Sequence, residues 1–184
     1  DFAALSQVGQ HWRGIGVTLF VNWAVKPFSM ALLGWIFIRH VFAPYLPAEQ
    51  LDSYVAGLIR FMPQISPMWA PNVNSFRRMR PDSAAPINVQ WGIDNRSCGF
   101  RVPVSDKNNR RVENRLPGAD SNPYLAIAAS LVCGYIGMVD RMVPAKAITG
   151  SAYNRARTLP RTLEAALDRF SACKPVRNLL GEDF

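Results

Sequence analysis

Histidine is almost missing from this 184-residue sequence, since only His11 and His40 occur and both lie in the first 40 residues. Cysteine is also sparse: Cys98, Cys133 and Cys173 are far apart and form no CxxC pair. These absences argue against a zinc site, a disulfide framework and a histidine-based site in the rest of the chain. We therefore expect a reducing compartment, with Cys133 as a core residue of an apolar helix.

Acidic residues are outnumbered, 13 against 21 basic ones, and the net charge is +8. A basic surplus favours anionic partners such as nucleotides, phosphates, nucleic acid or a membrane surface. Residues 77–115 hold nine basic side chains against four acidic ones. The nine are Arg77, Arg78, Arg80, Arg96, Arg101, Lys107, Arg110, Arg111 and Arg115. Aromatic residues lie among them, but no nucleic-acid-binding module is recognisable, so we predict no nucleic-acid partner.

Charge nearly disappears between Gly14 and Ile38, where Lys26 is the single charged residue in 25. As a helix this stretch would be about 37 Å long, more than the roughly 30 Å of a hydrocarbon core. We predict a membrane span here. The alternative is two buried helices that meet at Lys26-Pro27, because a central Lys is costly in a bilayer and Pro kinks a helix. No signal peptide is seen, and the opening Asp1-Phe2 leads us to expect an upstream start.

The remainder predicts an α+β fold of antiparallel strands and packed helices, preceded by the apolar helical segment. One apolar stripe predicts a helix from Pro47 to Pro63. Its members are Leu51, Tyr54, Val55, Leu58 and Met62. Two alternating apolar runs, separated by Asp94-Asn95, predict an antiparallel strand pair. The runs are Ile87, Val89, Trp91, Ile93 and Cys98, Phe100, Val102, Val104. A third strand is expected over Arg111–Arg115.

Two further helices are predicted in the last third of the chain. The first is Pro123–Met142, capped by Asp120 or Ser121. Its expected apolar face consists of Leu125, Ala128, Ala129, Val132, Ile136 and Val139. Gly134 and Gly137 are expected to permit close packing. The second is Thr162–Ala172, whose apolar residues are Leu163, Ala166, Leu167 and Phe170.

Arg111, Glu113 and Arg115 occupy alternate positions, so in a strand they would share one face. A row of cation, anion and cation suits phosphate and a divalent metal. It equally suits a solvated strand face, whose exposed ion pairs are worth about 1 kcal/mol or less. The residues alone leave both interpretations open.

The first part of the chain resembles the arsenite efflux permeases of the bile-acid/arsenite transporter superfamily. The resemblance covers residues 7 to about 59 and rests on HWRGIGVTLFVNWAVKPFSMALLGWIFIRH, continued by FAPYLPAEQLDSYVAGLI. It implies a fragment of a polytopic carrier. In that family a metalloid-binding Cys follows within an Ala-Pro-Cys-Thr stretch, whereas here AGLI runs into RFMPQ. The departure argues against transport by this chain.

The second part resembles the C-terminal portion of the glutamine synthetase catalytic domain. Three motifs carry the resemblance in the family's order: APNVNSFRR, WGIDNRSCGFRVP and RVENRLPGADSNPYLAIAASLVCGY. The family's reaction makes γ-glutamyl phosphate from glutamate and ATP, and an amine or ammonia then attacks it. The resemblance implies the cofactors ATP and Mg²⁺ or Mn²⁺, a homo-oligomeric ring and a cytoplasmic location.

The resemblance also implies a role for each site residue. Glu113 would be a ligand of the metal that bridges the ATP phosphates. Arg78 and Arg115 would bind glutamate, mainly through its α-carboxylate. Arg96 would be catalytic, on the transferring γ-phosphoryl group. The residues that would contact ATP are Arg96, Arg101 and Arg111.

Two departures from the family pattern refine this expectation. Ammonia-using members carry a Glu in the flap, and here Ala84 occupies the position within RRMRPDSAAPI. The loss resembles the family's branches that γ-glutamylate polyamines and other organic amines. The family's other metal ligands come from earlier strands that this sequence does not include. One Glu cannot supply the oxygen ligands that a catalytic Mg²⁺ needs, so the isolated chain is expected to be inactive.

We therefore divide the chain into 1–59, a permease-like hydrophobic fragment, and 60–184, the C-terminal portion of a glutamine synthetase-like domain. The predicted function is ATP-dependent ligation of glutamate to ammonia or an organic amine, incomplete in this isolated chain. Two alternatives stay open: a fragment of a metalloid efflux permease that is associated with the membrane through residues 14–38, and a non-functional fusion remnant.

Overall fold

The computed structural model describes residues 48–81, 83–106 and 110–181 of the chain. The predicted membrane span over Gly14–Ile38 and both histidines lie outside these residues. Within them, no helix combines the length and the apolar character that crossing a bilayer requires. The described part contains five α-helices, two short 3-10 turns and a three-stranded sheet.

Helix α1, Ala48–Phe61, confirms the helix that was predicted from the apolar stripe. Tyr54, Val55 and Leu58 are buried on it, and Met62 is buried just after its end. The chain then turns through a 3-10 segment, Ser66–Met68, where Trp69 is fully buried and its Nε1 donates to the Met62 carbonyl at 3.0 Å. Helix α2, Val73–Arg78, follows.

The sheet has the order β1-β2-β3, and its strands are short: Trp91–Ile93, Phe100–Val102 and Glu113–Asn114. The predicted antiparallel pairing of the first two strands is wrong, because β1 and β2 are parallel, with Trp91 beside Phe100. Strands β2 and β3 are antiparallel, with Arg101 beside Glu113. The predicted third strand over residues 111–115 is thus reduced to two residues.

The backbone between β1 and β2 does not form the tight hairpin that an antiparallel pair would need. A two-residue hairpin of type I′ requires positive φ at both central residues, but only Asp94, at 51°, has one, and Asn95 does not. The Asn95 side chain instead accepts from the Ser97 N–H at 3.0 Å and from its Oγ at 2.7 Å. The chain loops back, and the Phe100 N–H donates to the Gln90 carbonyl at 3.2 Å. The two strands therefore run in the same direction.

Helix α3, Pro123–Val139, begins at a different cap and ends earlier than predicted. Asn122, not Asp120 or Ser121, is the N-cap, and its Oδ1 accepts from the Tyr124 N–H at 2.9 Å. Asp120 is engaged elsewhere, as the acceptor of a bond from the Ser75 hydroxyl at 2.6 Å. The sequence alone could not choose among three adjacent capping residues.

Helices α1 and α3 touch backbone to backbone. A Cβ on Gly137 would lie 2.3 Å from the Ser53 carbonyl oxygen and 2.6 Å from the Gly57 nitrogen. A Cβ on Gly134 would lie 1.9 Å from the Tyr54 ring. The close packing predicted for Gly134 and Gly137 is therefore confirmed, and α1 is the partner.

The buried face of α3 differs from the predicted one. It consists of small residues: Ala126, Ala129, Cys133, Gly134 and Gly137. Of the predicted face, Ala129 is fully buried, whereas Val139 is 60% exposed. Because α3 is apolar around its whole circumference, periodicity could not identify the side that meets α1.

Two helices close the described chain. Helix α4, Leu163–Ala172, confirms the predicted last helix, and Thr162 Oγ1 caps it by accepting from the Ala165 N–H at 3.2 Å. Ala166 is fully buried on it. Helix α5, Lys174–Leu180, was not predicted from the sequence. All three cysteines are buried free thiols, and burial raises the pKa of each, that of Cys98 to about 11.

Replacing Gly137 by Ala should destabilise the chain. At an open helical position the change would stabilise by roughly 1 kcal/mol, but here the added methyl meets backbone atoms that cannot rotate away. We expect a net loss of about 1–3 kcal/mol, measured by urea denaturation followed by circular dichroism. Met138→Ala, a truncation on the neighbouring half-exposed position, should cost less. An increase in stability for Gly137→Ala would contradict the close approach of α1 and α3.

Candidate active site

The neighbouring strands β2 and β3 form a row of opposite charges. Arg101 Nη1 donates to Glu113 Oε2 at 2.7 Å. On the other side of Glu113, its Oε1 lies 3.7 Å from Arg115 Nε. A cation-anion-cation row is therefore present, but its members are Arg101, Glu113 and Arg115, whereas the predicted row began at Arg111. Arg111 lies two residues before β3, and its side chain is exposed.

Asp94 joins this row, although the sequence reasoning gave it no role. Its Oδ1 accepts from Arg101 Nη2 at 2.5 Å and from Nε at 3.1 Å. Arg101 therefore bridges two carboxylates, and its hydrogen bonds to Glu113 and Asp94 raise its pKa. The Arg101 side chain is 19% exposed, whereas those of Asp94 and Glu113 are 51% and 44% exposed. Only the parallel register of β1 and β2 brings Asp94 to Arg101, so an antiparallel prediction could not find it.

Arg115 connects the sheet to the segment that contains Ala84. Its Nη2 donates to the Ala84 carbonyl at 3.3 Å, and its Nη1 donates to the Cys98 carbonyl at 3.4 Å. Ala84 has a φ of 59°, a left-handed conformation that is uncommon for a residue with a side chain. The flap position singled out in the sequence is therefore in direct contact with a predicted glutamate-binding residue.

Arg78 lies at the end of α2 and donates from Nη2 to the Leu116 carbonyl. Partial burial lowers its pKa; the nearby carboxylate of Asp120 counteracts this shift, and Arg115 adds to it. The pKa of Asp120 is itself lowered, mainly by the hydrogen bond from Ser75. Ser75 and Asp120 thus support Arg78, a role that no sequence pattern indicated.

Arg96 lies in the turn between β1 and β2, at an open groove of about 510 Å³. The groove is lined by residues 93–97 and by the loop 147–151. This loop is attached by hydrogen bonds from Asn95 Nδ2 to the Gly150 carbonyl at 2.7 Å and from the Ala152 N–H to Ser97 Oγ at 2.8 Å. Asp94 belongs both to the groove and to the Arg101 bridge. The charged row and the groove are therefore adjacent.

Strand β3 is anchored to the helix pair through one serine. Asn114 Nδ2 donates to Ser130 Oγ at 2.8 Å. The Tyr54 hydroxyl donates to the Ser130 carbonyl at 3.2 Å, and burial raises the pKa of this tyrosine. The contact of α1 with α3 and the position of Glu113 are therefore linked through Ser130.

The described residues do not by themselves fit a divalent metal. Mg²⁺ and Mn²⁺ prefer several oxygen ligands. Nowhere in residues 48–81, 83–106 and 110–181 do three His, Cys, Asp or Glu side chains cluster as such a site would require. Both Glu113 oxygens also face guanidinium groups.

Comparison with known proteins assigns the family. The model of the glutamine synthetase catalytic domain matches residues 43–184. A glutamate–isopropylamine ligase from a Pseudomonas species is 41% identical over 116 residues, which are 63% of this chain and 25% of that protein. Gamma-glutamylputrescine synthetase PuuA of Escherichia coli K12 is 37% identical over 136 residues, or 73% of this chain and 29% of that protein.

A solved structure of a GmaS/ADP complex shares the fold. It superposes with a TM-score of 0.64 at 25% identity, over 73% of this chain and 33% of that one. The chain thus spans about a quarter to a third of the length of the relatives that it matches. With a family match over residues 43–184 and several motifs in the family's order, this chain belongs to the glutamine synthetase family, as part of its catalytic domain.

Proposed function

We propose that the chain carries the C-terminal portion of a ligase that joins glutamate to an amine at the expense of ATP. The γ-carboxylate oxygen of glutamate would attack the terminal phosphorus of ATP, and ADP would leave. The amine nitrogen would then attack the acyl carbon of γ-glutamyl phosphate, lose a proton, and displace inorganic phosphate. Catalysis of this kind depends on cations around the transferring phosphoryl group more than on a nucleophilic side chain.

The Arg101 bridge is the observation that carries this proposal. A guanidinium has five N–H donors, and Arg101 uses three of them on Asp94 and Glu113. Two N–H groups remain for phosphate oxygens while the carboxylates hold the side chain in place. Arg suits this task better than Lys because its planar fork keeps several donors in a fixed arrangement.

The other roles follow the family resemblance. Arg96, exposed beside the groove, would contact the γ-phosphoryl group, and Arg111 the other ATP phosphates. Arg78 and Arg115 would bind the α-carboxylate of glutamate. Glu113 would be one ligand of a divalent metal whose remaining ligands lie outside the described residues. As in the family, the whole enzyme would form a homo-oligomeric ring in the cytoplasm.

The acceptor is proposed to be an organic amine. Ala84 offers a methyl group where ammonia-using members have a carboxylate, and its backbone carbonyl holds Arg115 instead. Two of the relatives reported above are named for isopropylamine and putrescine. A bulkier acceptor needs the space that a missing carboxylate leaves. Ammonia is the alternative acceptor.

The permease resemblance of residues 7–59 is a separate hypothesis about the start of the chain. The family match begins at residue 43, and described residues of α1 pack against α3. Three hypotheses about this part of the chain stay predictions: membrane association through residues 14–38, a division near residues 55–60, and a non-functional fusion remnant.

If the fusion is one natural polypeptide, trypsin should release the peptide HVFAPYLPAEQLDSYVAGLIR from lysate of the source cells, and mass spectrometry should detect it. Peptides from both sides of this stretch, with this one never found, would refute the natural fusion.

A polypeptide of these 184 residues should have no measurable ligase activity, because Glu113 and Asp94 alone cannot hold a catalytic divalent metal. The assay is ADP release with ATP, Mg²⁺, glutamate and putrescine, against the same mixture without amine. ADP release above that background, lost on Glu113→Ala, would overturn the prediction.

Activity should appear when the missing portion is supplied. In a chimera, residues 43–184 replace the matched region of Escherichia coli PuuA, and ADP release is measured with putrescine or with ammonium. We expect a preference for putrescine of at least about tenfold, and a loss of about 10²-fold or more on Glu113→Ala. Glu164→Ala, which removes an exposed carboxylate from α4, is the matched control and should change little.

The flap residue can be tested in the same chimera. Ala84→Glu should shift the ratio of the two rates towards ammonium, because the new carboxylate can bind ammonium and fills space needed by a larger amine. A chimera that prefers ammonium before this change would refute the organic-amine acceptor while leaving the ligase assignment intact.

A further inference from the structure

The stretch around Ala84 is held by a part of the chain that is distant from it in sequence. We call residues 83–87 the flap segment and residues 152–158 the anchor segment. Ala84 has a φ of 59°, which is unfavourable for a residue with a Cβ. Such a conformation persists only where the surrounding structure restrains it. The restraints on Ala84 matter for function because its carbonyl accepts from Arg115.

Two successive carbonyl groups of the flap segment each accept a hydrogen bond from a side chain. The Ala84 carbonyl accepts from Arg115 Nη2 at 3.3 Å, and the Ala85 carbonyl accepts from the Tyr153 hydroxyl at 3.2 Å. Ala85 is only 2% exposed, so water is poorly placed to replace a lost partner. A guanidinium and a phenol therefore restrain the backbone of these two residues together.

Tyr153 lies on a turn that is itself firmly attached. It is the central residue of the 3-10 turn Ala152–Asn154. Ala152 is buried, its N–H donates to Ser97 Oγ at 2.8 Å, and its carbonyl accepts from Asn88 Nδ2 at 2.8 Å. The tyrosine hydroxyl is therefore presented to the flap segment from a fixed support.

The anchor segment also holds the backbone at both ends of the flap region. At one end, the Thr158 N–H donates to the Ile87 carbonyl at 3.3 Å. At the other, Arg157 Nη1 donates to the carbonyl of Met79, the residue that ends α2. The tyrosine bond lies between these two attachments. One distant segment thus holds the flap region at three points.

We propose that Tyr153 is a positioning residue for the glutamate side of the site. Its hydroxyl holds the Ala85 carbonyl, which keeps Ala84 in the left-handed conformation, and the Ala84 carbonyl then orients the Arg115 guanidinium. A binding group that is displaced slightly orients its substrate less well. Tyr153 acts through the backbone and need not touch substrate. This inference rests on the proposed role of Arg115 in binding glutamate, not on the identity of the amine.

Tyr153→Phe tests the hydrogen bond, because it removes the hydroxyl and keeps the ring. The variant is made in the chimera that carries residues 43–184 in Escherichia coli PuuA. We expect the KM for glutamate to rise about three- to tenfold, as the loss of one hydrogen bond implies, while kcat and the KM for ATP change less than about twofold. The matched control is Tyr135→Phe, at a tyrosine of α3 that is 41% exposed, and it should change neither KM.

A second substitution tests whether Tyr153 acts through Ala84. Glycine adopts positive φ about as readily as negative φ, so it depends less on an outside restraint. In the Tyr153→Phe background, Ala84→Gly should therefore lower the KM for glutamate again, by about twofold or more. No recovery would separate the effect from the conformation of Ala84 and would overturn the proposal.

Hydrogen exchange tests the same contact without any catalysis. In the 184-residue chain, amides of residues 83–89 should exchange at least about threefold faster in Tyr153→Phe than in the unchanged chain, because their local opening becomes easier. Exchange in α1 should stay the same, and Tyr135→Phe should leave residues 83–89 unaffected. Mass spectrometry of peptic fragments measures both regions in one experiment.

Three further results would overturn the proposal. One is an equal KM for glutamate in the Tyr153→Phe and Tyr135→Phe chimeras. Another is a fall in kcat alone, or an equal rise in the KM for ATP, either of which would make the hydroxyl merely structural. The third is unchanged exchange over residues 83–89. An inactive chimera would refute the proposed reaction, and the exchange measurement would still decide whether Tyr153 holds the flap segment.

Discussion

The close approach of α1 and α3 is the constraint on which the other contacts depend. Without side chains at Gly57 and Gly137 the two backbones meet directly, and Tyr54 can lie over Gly134. This position brings the tyrosine hydroxyl to the Ser130 carbonyl, while the hydroxyl of the same serine accepts from Asn114 on β3. A contact between two helices thus determines where the edge of the sheet, and Glu113 with it, is held.

The position of Glu113 at the sheet edge allows the ion pairs of the candidate site. Arg101 stands between two carboxylates, and Arg115 reaches the far side of Glu113 as well as the flap carbonyl of Ala84. Charges of both signs are therefore held in a fixed geometry beside the groove that Asp94 and Arg96 line. The carboxylates of Asp94 and Glu113 hold the Arg101 guanidinium in one orientation.

Helix α3 links this site to its surroundings. One face of helix α3 consists of small residues that pack tightly on α1, whereas Tyr124, Ile127 and Val139 on the opposite face are exposed. Within the described residues, the donor set around Glu113 is too small for a divalent metal.

The sequence by itself determined helices α1 and α4, because 3.6-residue periodicity and good end signals identify amphipathic helices. It predicted close packing at Gly134 and Gly137 without identifying α1 as the partner, and the family motifs indicated the arginines and Glu113 as candidate site residues. Tertiary structure alone decided that β1 and β2 are parallel, since backbone conformation at Asp94-Asn95 and distant hydrogen bonds set the register. The parallel register therefore also brought Asp94 into contact with Arg101. Tertiary structure also decided which face of α3 is buried, because a helix that is apolar on every side carries no local signal of its partner.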